Sequence, residues 1–167
     1  MKILSIIAAV FSFCILSAAD FSVEVTKITE TAAPGKPIEM EVDLKCPEGY
    51  RPGAWILTAF RNGVPAEFPA ALNLESKFSK SKNPQWSYCN IFTKWFRKSD
   101  NSLQKKLVIT TTDKWPEGDY KFTVQILFRK SGAKDKYMSK KILFTLEKPA
   151  EAEAEAPKAE EKAGDAA

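Results

Sequence analysis

The chain has 167 residues, with 25 Lys and Arg against 21 Asp and Glu, three cysteines and no histidine. The lack of histidine removes the commonest general base and metal ligand and excludes Ser-His and Cys-His nucleophile pairs. Cysteines and methionines are too few and too scattered for a zinc or copper site, and the sequence has no phosphate-binding glycine loop. We therefore expect a protein that is not an enzyme and that uses no metal or cofactor.

The amino-terminal segment has the features of a secretory signal. Lys2 precedes an apolar run from Ile3 to Leu16, and small residues stand before Asp20. The run is short for a membrane span, and small residues at this position are typical of a cleavage site. We expect residues 1–19 to be removed and the protein to be secreted or periplasmic, with an uncleaved anchor as the alternative. No later apolar run is long enough to cross a membrane.

The last residues differ in composition from those before them. From Pro149 onward the chain has no aromatic or β-branched residue, so we expect residues 149–167 to form a disordered tail rich in Ala, Glu, Lys and Pro. The tail carries six acidic and two basic residues, whereas residues 20–148 carry 22 Lys and Arg against 15 Asp and Glu. This asymmetry indicates an anionic partner, a tail that lies over a basic surface, or a solubilising tail.

Alternating segments begin the predicted domain, residues 20–148. Residues 21–26 alternate apolar and polar side chains and predict a first strand, and the Pro- and Gly-containing segment 31–37 predicts a turn. Residues 38–46 then place apolar side chains at every even position and charged ones at every odd position. This pattern predicts a strand with one buried and one solvated face.

A third strand is predicted over residues 55–60, after a turn over 46–53. Asn62 and Gly63 supply the residues that a type I′ turn needs, so we expect a hairpin into a second arm at 64–68. The proline within that arm marks it as an edge strand.

Three more strands are predicted along the chain. Residues 69–85 have no regular pattern, and 86–96 form a strand-like segment that is apolar on both faces. Residues 103–112 and 137–147 place apolar side chains at alternate positions, as half-buried strands do.

The strand after Gly118 is the clearest of the later ones. Pro116 and Gly118 predict a turn ahead of it. Mostly polar residues then alternate with an apolar set, which predicts an antiparallel strand that faces a core on one side. The apolar positions are Tyr120, Phe122, Val124, Ile126 and Phe128.

The pattern of seven or eight short strands predicts an all-β fold with two packed antiparallel sheets. Trp55, at the start of its strand, and Tyr120, two residues after Gly118, resemble the buried tryptophan and the tyrosine corner of immunoglobulin-like and fibronectin type III-like domains. The resemblance covers residues 21–148 and implies an immunoglobulin-like β-sandwich whose corner hydroxyl bonds to upstream backbone. Phe122 occupies the position of the family's second cysteine, so the usual disulfide is absent.

Cys46 and Cys89 remain after the signal segment. In an oxidising compartment we expect them to form a disulfide, worth roughly 3 to 4 kcal/mol in the chain-entropy model. Two separate buried thiols are the alternative.

A basic and aromatic segment, residues 77–106, is the best candidate for a binding surface. It carries eight basic residues against one acid, Asp100, and interleaves six aromatic residues. Because both faces of 86–96 are apolar, we expect some rings to stay exposed unless a loop covers them or they fill the core. The candidate contact residues are Trp86, Tyr88, Trp95, Arg97 and Lys98.

We therefore expect an exported, non-catalytic binding or adaptor module. Its partner would be a protein, an anionic glycan or a cell-envelope component, and export argues against nucleic acid. The alternative is a proteinase inhibitor of similar architecture that presents residues 48–53 to an enzyme cleft. The sequence leaves the oligomeric state open.

Overall fold

The computed structural model describes residues 20–79 and 87–148. The expected signal, 1–19, and the expected tail, 149–167, lie outside the described residues. Short 3-10 turns at Arg61–Gly63 and Glu75–Lys77 join the longer elements. The described elements are β1 (Ser22–Ile28), β2 (Thr31–Ala32), β3 (Ile38–Lys45), β4 (Arg51–Phe60), α1 (Phe68–Ala71), β5 (Tyr88–Trp95), β6 (Gln104–Ile109), β7 (Gly118–Arg129) and β8 (Lys136–Leu146).

The strands form two sheets. One has three strands in the order β1-β3-β6, and the other has five in the order β2-β8-β7-β4-β5. Neighbouring strands are antiparallel except for the short β2, which pairs in parallel with β8. The predicted all-β class and the predicted pair of sheets are confirmed.

One hydrophobic cluster lies between the sheets. Ile38 and Met40 of β3 and Phe122 and Val124 of β7 are all buried in it, while the residues that alternate with them on β3 face outward. Burying apolar surface stabilises the fold by about 25 cal/mol per Å², so the two-residue period fixes which face of each strand packs inward. The predicted burial of these faces is confirmed, and the fold is β-sandwich-like.

Tyr120 anchors the turn that leads into β7. Its side chain is fully buried, its hydroxyl donates a hydrogen bond to the carbonyl oxygen of Pro116 at 2.6 Å, and its ring stacks on Phe144 at 5.2 Å between centroids. Burial, with a smaller contribution from the negative charge of Glu67, raises the pKa of the hydroxyl well above its usual value. The expected hydrogen bond to upstream backbone is confirmed.

The predicted hairpin arm at 64–68 is wrong. The chain leaves β4 through a 3-10 turn, and a Cβ on Gly63 would lie 2.8 Å from the carbonyl oxygen of Lys121, so residue 63 crosses directly over β7. Phe68 is then fully buried, with its ring 5.0 Å from that of Trp115. The apolar side chain draws the segment inward over one end of the core, where it forms α1 instead of extending the sheet.

The turn predicted over 46–53 is too long. Arg51 and Pro52 already pair with Arg129 and Phe128 of β7, so β4 begins at residue 51. The proline is tolerated because a register shift follows it directly.

The expected disulfide is also wrong, since both thiols are free. Cys46 follows β3 at the end where β4 begins and donates a hydrogen bond to the carbonyl oxygen of Tyr50, whereas Cys89 pairs with Ala59 near the far end of β4. From Arg51 to Ala59 the strand spans roughly 26 Å at its ordinary rise, and a disulfide needs about 4.4 to 6.8 Å between Cα atoms. Burial raises the pKa of both thiols.

Candidate functional site

The solvent-facing side of β5, β4, β7 and β8 gathers most of the exposed apolar groups, and we name it the aromatic face. Strand register places its side chains in four rows across the sheet, about 14 Å wide and about 20 Å long at ordinary strand spacings. The rows are Tyr88, Phe60, Lys121 and Leu143; Asn90, Thr58, Thr123 and Lys141; Thr93, Ile56, Gln125 and Ser139; and Trp95, Ala54, Leu127 and Tyr137.

Large apolar side chains lie at both ends of the aromatic face. Tyr88 and Leu143 are 47% and 61% exposed in the first row, and Trp95 and Tyr137 are 64% and 52% exposed in the last. One further large apolar residue of the described chain, Leu103, is comparably exposed elsewhere. The register of one sheet therefore brings together four exposed side chains that the sequence separates widely.

The last row forms a small cluster outside the main core. Ala54 and Leu127 are buried although they face away from the core, because Trp95 and Tyr137 flank them in the same row. The guanidinium of Arg129 lies 5.5 Å from the centre of the Trp95 ring and pairs with Asp135 at 3.3 Å. The tryptophan ring is thus oriented by a cation–π contact while most of its surface stays open to solvent.

The first row contains a shallow groove of about 380 Å³. Phe60 and the 3-10 turn at Arg61–Gly63 form one wall, Leu143 the other, and β7 the floor. Lys121 and Lys141 line the same groove. It therefore combines two apolar walls with two ammonium groups.

The four rows of the aromatic face carry positive charge only, whereas the Arg129–Asp135 pair and Asp119 lie beside its two ends. Lys121 and Lys141 are the charged residues of its four rows, and neither forms an ion pair within the described residues. The two middle rows are mostly hydroxyl and amide groups, such as Gln125, whose Nε2 donates to Ser139 Oγ at 3.3 Å. The face thus offers aromatic ends, a polar centre and unpaired positive charge, which suits a partner with anionic groups.

The predicted contact residues are only partly brought together. Tyr88 and Trp95 lie on the aromatic face at opposite ends of β5, with Tyr88 against Phe60 at 6.1 Å between ring centroids. Arg97 and Lys98 are exposed in the turn beyond β5. Trp86 lies outside the described residues.

The other rings of the basic and aromatic segment pack inward. Phe78 is buried, and Phe92 and Phe96 pack against the core. The expectation of exposed rings therefore holds for Tyr88 and Trp95, and the core-filling alternative holds for these three.

Two lysines of that segment close the side of the fold where β5 and β6 meet. Lys94 Nζ lies 5.0 Å from the Phe92 ring centre and 3.4 Å from the carbonyl oxygen of Val108. Lys105 Nζ is buried 2.6 Å from the Asp100 carboxylate. The hydrogen bond from Lys105 holds the pKa of Asp100 below its usual value. These cations are used internally and do not add to a binding surface.

Sequence reasoning missed Phe60, Lys121, Tyr137 and Leu143. Phe60 and Lys121 lie among polar neighbours of the same parity, and no local pattern marks either as part of a binding surface. Tyr137 and Leu143 are the detectable exceptions, since they are large apolar residues on the predicted solvated face of a half-buried strand.

A second cavity, of about 620 Å³, opens between β1 and β8. It is lined by apolar residues of both strands together with the acids Glu30 and Asp119 and the lysines Lys121, Lys140 and Lys141, so two of its lysines are shared with the groove of the first row. In the described part of the chain no cluster of three or more Cys, Asp or Glu side chains is placed to bind a metal. Among the same residues no helix has the length and hydrophobicity of a membrane span.

Residues 48–53, the predicted inhibitory loop, do not project as one loop. Arg51 and Pro52 pair with β7, and the carbonyl oxygen of Glu48 accepts a hydrogen bond from Lys130 Nζ at 3.2 Å.

The sequence matches no known protein-family model and is significantly similar to no curated protein.

Proposed function

We propose that the protein is an exported, non-catalytic binding module with an immunoglobulin-like sandwich fold, and that it binds a protein partner through the aromatic face. The observation that carries the proposal is the gathering of Tyr88, Trp95, Tyr137 and Leu143 on one side of one sheet. A solvated sheet face is ordinarily polar, whereas exposed Trp and Tyr side chains are enriched at interaction surfaces, and here they lie at the corners of one face.

The immunoglobulin-like assignment is supported by three features. The sheets contain three and five strands. Trp55 is buried in β4, the third long strand, and the Tyr120 hydroxyl donates a hydrogen bond to the carbonyl oxygen of Pro116. These are the positions that the buried tryptophan and the tyrosine corner occupy in that class of domain.

A protein partner is favoured by residue type and by size. Trp, Tyr and Arg are the residues most enriched at interface hot spots, and Trp95, Tyr137 and Arg129 lie within one end of the aromatic face. Its four rows, about 14 Å by 20 Å, form part of an interface of about 800 Å² per partner, to which the surrounding surface would contribute the remainder. Its unpaired lysines favour a partner with acidic groups.

Export is supported by the amino-terminal sequence alone. Lys2, the apolar run and the small residues before Asp20 have the order of a cleavable signal. Amino-terminal sequencing of the protein from the medium or periplasm should begin at Asp20, and a chain retained in the cytoplasm with Met1 intact would overturn this part of the proposal.

Affinity capture tests the binding surface. Full-length protein is immobilised, exposed to extracytoplasmic extract of its source, and compared with Trp95→Ala/Tyr137→Ala and with Leu103→Ala as a matched control. Leu103 is similarly apolar and exposed but lies off the aromatic face. We expect the wild type and the control to retain the same protein and the double variant to lose about tenfold in affinity for it, as hot-spot truncation does.

Each other outcome of that experiment counts against the proposal. Equal capture by all three chains removes the aromatic face as the site. A captured component that resists protease treatment and is released by glycosidases replaces the protein partner with a glycan. Stoichiometric inhibition of a protease that is unaffected by the double variant supports the inhibitor alternative.

A further inference from the structure

We propose that the acidic segment Glu151 to Glu155 of the same chain docks in the groove lined by Lys121 and Lys141. The inference concerns the chain alone and does not depend on the partner proposed above. It rests on the groove's unsatisfied charge, on where β8 ends, and on the spacing of the tail's carboxylates.

The groove contains two lysines that form no ion pair among the described residues. Lys121 and Lys141 lie on its floor and rim, and no salt bridge of the described residues includes either one. The other lysines with described contacts are engaged differently, for example Lys106 with Glu39 at 2.6 Å and Lys105 with Asp100 at 2.6 Å. An anionic ligand in the groove would therefore meet two available ammonium groups.

The tail starts close to the groove. β8 ends at Leu146, three residues after the groove wall Leu143, which is about 10 Å along the strand. The backbone of Glu147 still donates to the carbonyl oxygen of Ala32 in β2, while Lys148 Nζ contacts Glu117 Oε1 at 3.2 Å, just before β7, whose residues form the groove floor. The level of Leu143 lies five residues back from Lys148, about 17 Å, so at about 3.3 to 3.6 Å per extended residue Glu153 and Glu155 reach the groove whereas Glu151 lies nearer its entrance.

The spacing of charges is complementary. Lys121 pairs directly with Leu143, and Lys141 lies two residues before Leu143 on β8, so the two lysines are diagonal neighbours about 7 to 8 Å apart. The sequence Glu151-Ala152-Glu153-Ala154-Glu155 alternates carboxylates. In an extended chain alternate side chains lie on one side about 6.6 Å apart, so two of these carboxylates match the two lysines.

The nearest acid on the approach, Asp119, is hydrogen-bonded within the fold but keeps its negative charge. Asp119 lies between the end of β8 and the groove, and its Oδ1 accepts a hydrogen bond from Thr145 Oγ1 at 2.8 Å. Pro149 and Ala150, the first residues of the tail, are uncharged, so the segment that passes this carboxylate adds no like charge. Within the groove, the glutamate stems can pack between Phe60 and Leu143 while their carboxylates face the lysines.

Tethering makes such a contact feasible. Exposed ion pairs are individually weak, but a short flexible connection gives an effective concentration in about the millimolar range. Because the charges are exposed, the contact should weaken as the screening length falls from about 10 Å at 0.1 M salt to about 3 Å at 1 M.

Backbone amide shifts of the full-length chain test the contact. The variant E151Q/E153Q/E155Q is compared with wild type, and E160Q/E161Q/D165N is the control because it removes the same charge from the far part of the tail. We expect the first variant to shift the amides of Lys121, Thr123, Lys141 and Leu143 at 20 mM salt and the control to leave them unchanged. Unchanged amides in both variants would overturn the proposal, as would equal shifts in both.

Cleavage by a glutamate-specific protease gives an independent readout. Replacing the groove lysines, K121Q/K141Q, should speed cleavage within 151–155 by about threefold at low salt, since each exposed pair contributes little. The control K27Q/K45Q removes the same charge from exposed sites on the three-stranded sheet and should cleave at the wild-type rate. Equal rates for all chains overturn the proposal, and protection that grows with protein concentration assigns the docking to a second copy.

Discussion

The two sheets present very different outer surfaces. The outer side of β1, β3 and β6, which we name the charged face, is built on the alternation of Glu39, Glu41 and Asp43 along β3. Its charges neutralise each other in place: Lys106 lies 2.6 Å from Glu39, and both Lys106 and Lys27 pair in register with Glu41. The aromatic face has exposed rings and unpaired lysines instead. The inner sides of both sheets pack into one hydrophobic cluster, so the two sheets differ mainly in their outer surfaces.

The contrast distinguishes the charged face, which supports the fold, from the aromatic face, which we propose to bind a partner. The charged face needs nothing beyond water and its own ion pairs, as expected for the solvated side of an antiparallel sheet. On the aromatic face Trp95 and Tyr137 expose large apolar area that gives the fold no comparable stability. If this interpretation is correct, stability should depend on the inward-facing rings and binding on the outward-facing ones.

Alanine substitutions of the two tryptophans of β4 and β5 should differ most in how much they lower the free energy of unfolding. Trp55 is 4% exposed, and Trp55→Ala should lower the free energy of unfolding by about 3 to 5 kcal/mol through lost burial and a cavity. Trp95→Ala loses a surface cation–π contact and part of the cover over Ala54, and should cost less, about 1 to 2 kcal/mol. Urea denaturation measures both, and equal costs would place Trp95 in the core and remove it from the binding surface.

Removing the hydroxyl group should likewise cost more stability at Tyr120 than at Tyr137. The difference should be smaller than that between the two tryptophans. Tyr120→Phe removes the hydroxyl that bonds to Pro116 inside the fold and should cost about 0.5 to 1.5 kcal/mol. Tyr137→Phe changes a half-exposed ring and should stay within about 0.5 kcal/mol. Thermal unfolding of the two variants checks this, and a larger loss for Tyr137→Phe would make the aromatic face structural.

Acid should weaken the junction of β5 and β6. The hydrogen bond from Lys105 lowers the pKa of Asp100 in the folded protein, so its stabilisation is complete above the unfolded-state value of about 3.9 and is lost as pH falls through the lower folded value. Asp100→Asn should therefore destabilise the protein at pH 7, where the buried Lys105 loses its carboxylate, and the difference from wild type should shrink at acid pH as the wild-type carboxylate is protonated.

The matched control for that experiment is Asp113→Asn, which removes the same charge from an exposed turn. The control should show little change at either pH. A pH-independent gap between wild type and Asp100→Asn would mean that the asparagine disrupts packing instead of removing a titrating contact.

The ion pairs of the charged face should contribute least to the stability of the fold. Glu39→Gln breaks the exposed pair with Lys106, whose pKa the same contact raises, and should lower the melting temperature by no more than about 2 °C at low salt. At 0.5 M NaCl the effect should disappear because the charges are screened. A loss that persists at high salt would show that the charged face does more than interact with water.

The inward faces could be predicted from the sequence because period-two alternation needs only neighbouring residues. Phe122 and Val124 of β7 and the even positions of β3 lie where the pattern placed them. The bond from Tyr120 to upstream backbone was expected from the resemblance to the tyrosine corner, and the structure identifies its acceptor as Pro116.

The aromatic face could not be predicted because it depends on the order of strands. Trp95 and Tyr137 lie in one row only because β5, β4, β7 and β8 are neighbours in that order. Likewise, no local pattern says that Cys46 and Cys89 lie near opposite ends of β4, which is why the expected disulfide was wrong. Phe68 was misplaced because its burial depends on Trp115, far along the chain.

An amide-shift map of the captured partner on the full-length protein tests the central claim most directly. We predict that shifts and line broadening concentrate on residues 88–95, 121–127 and 137–143, while residues 22–28, 38–45 and 104–109 of the charged face change little. A map centred on β1, β3 and β6 would contradict the account.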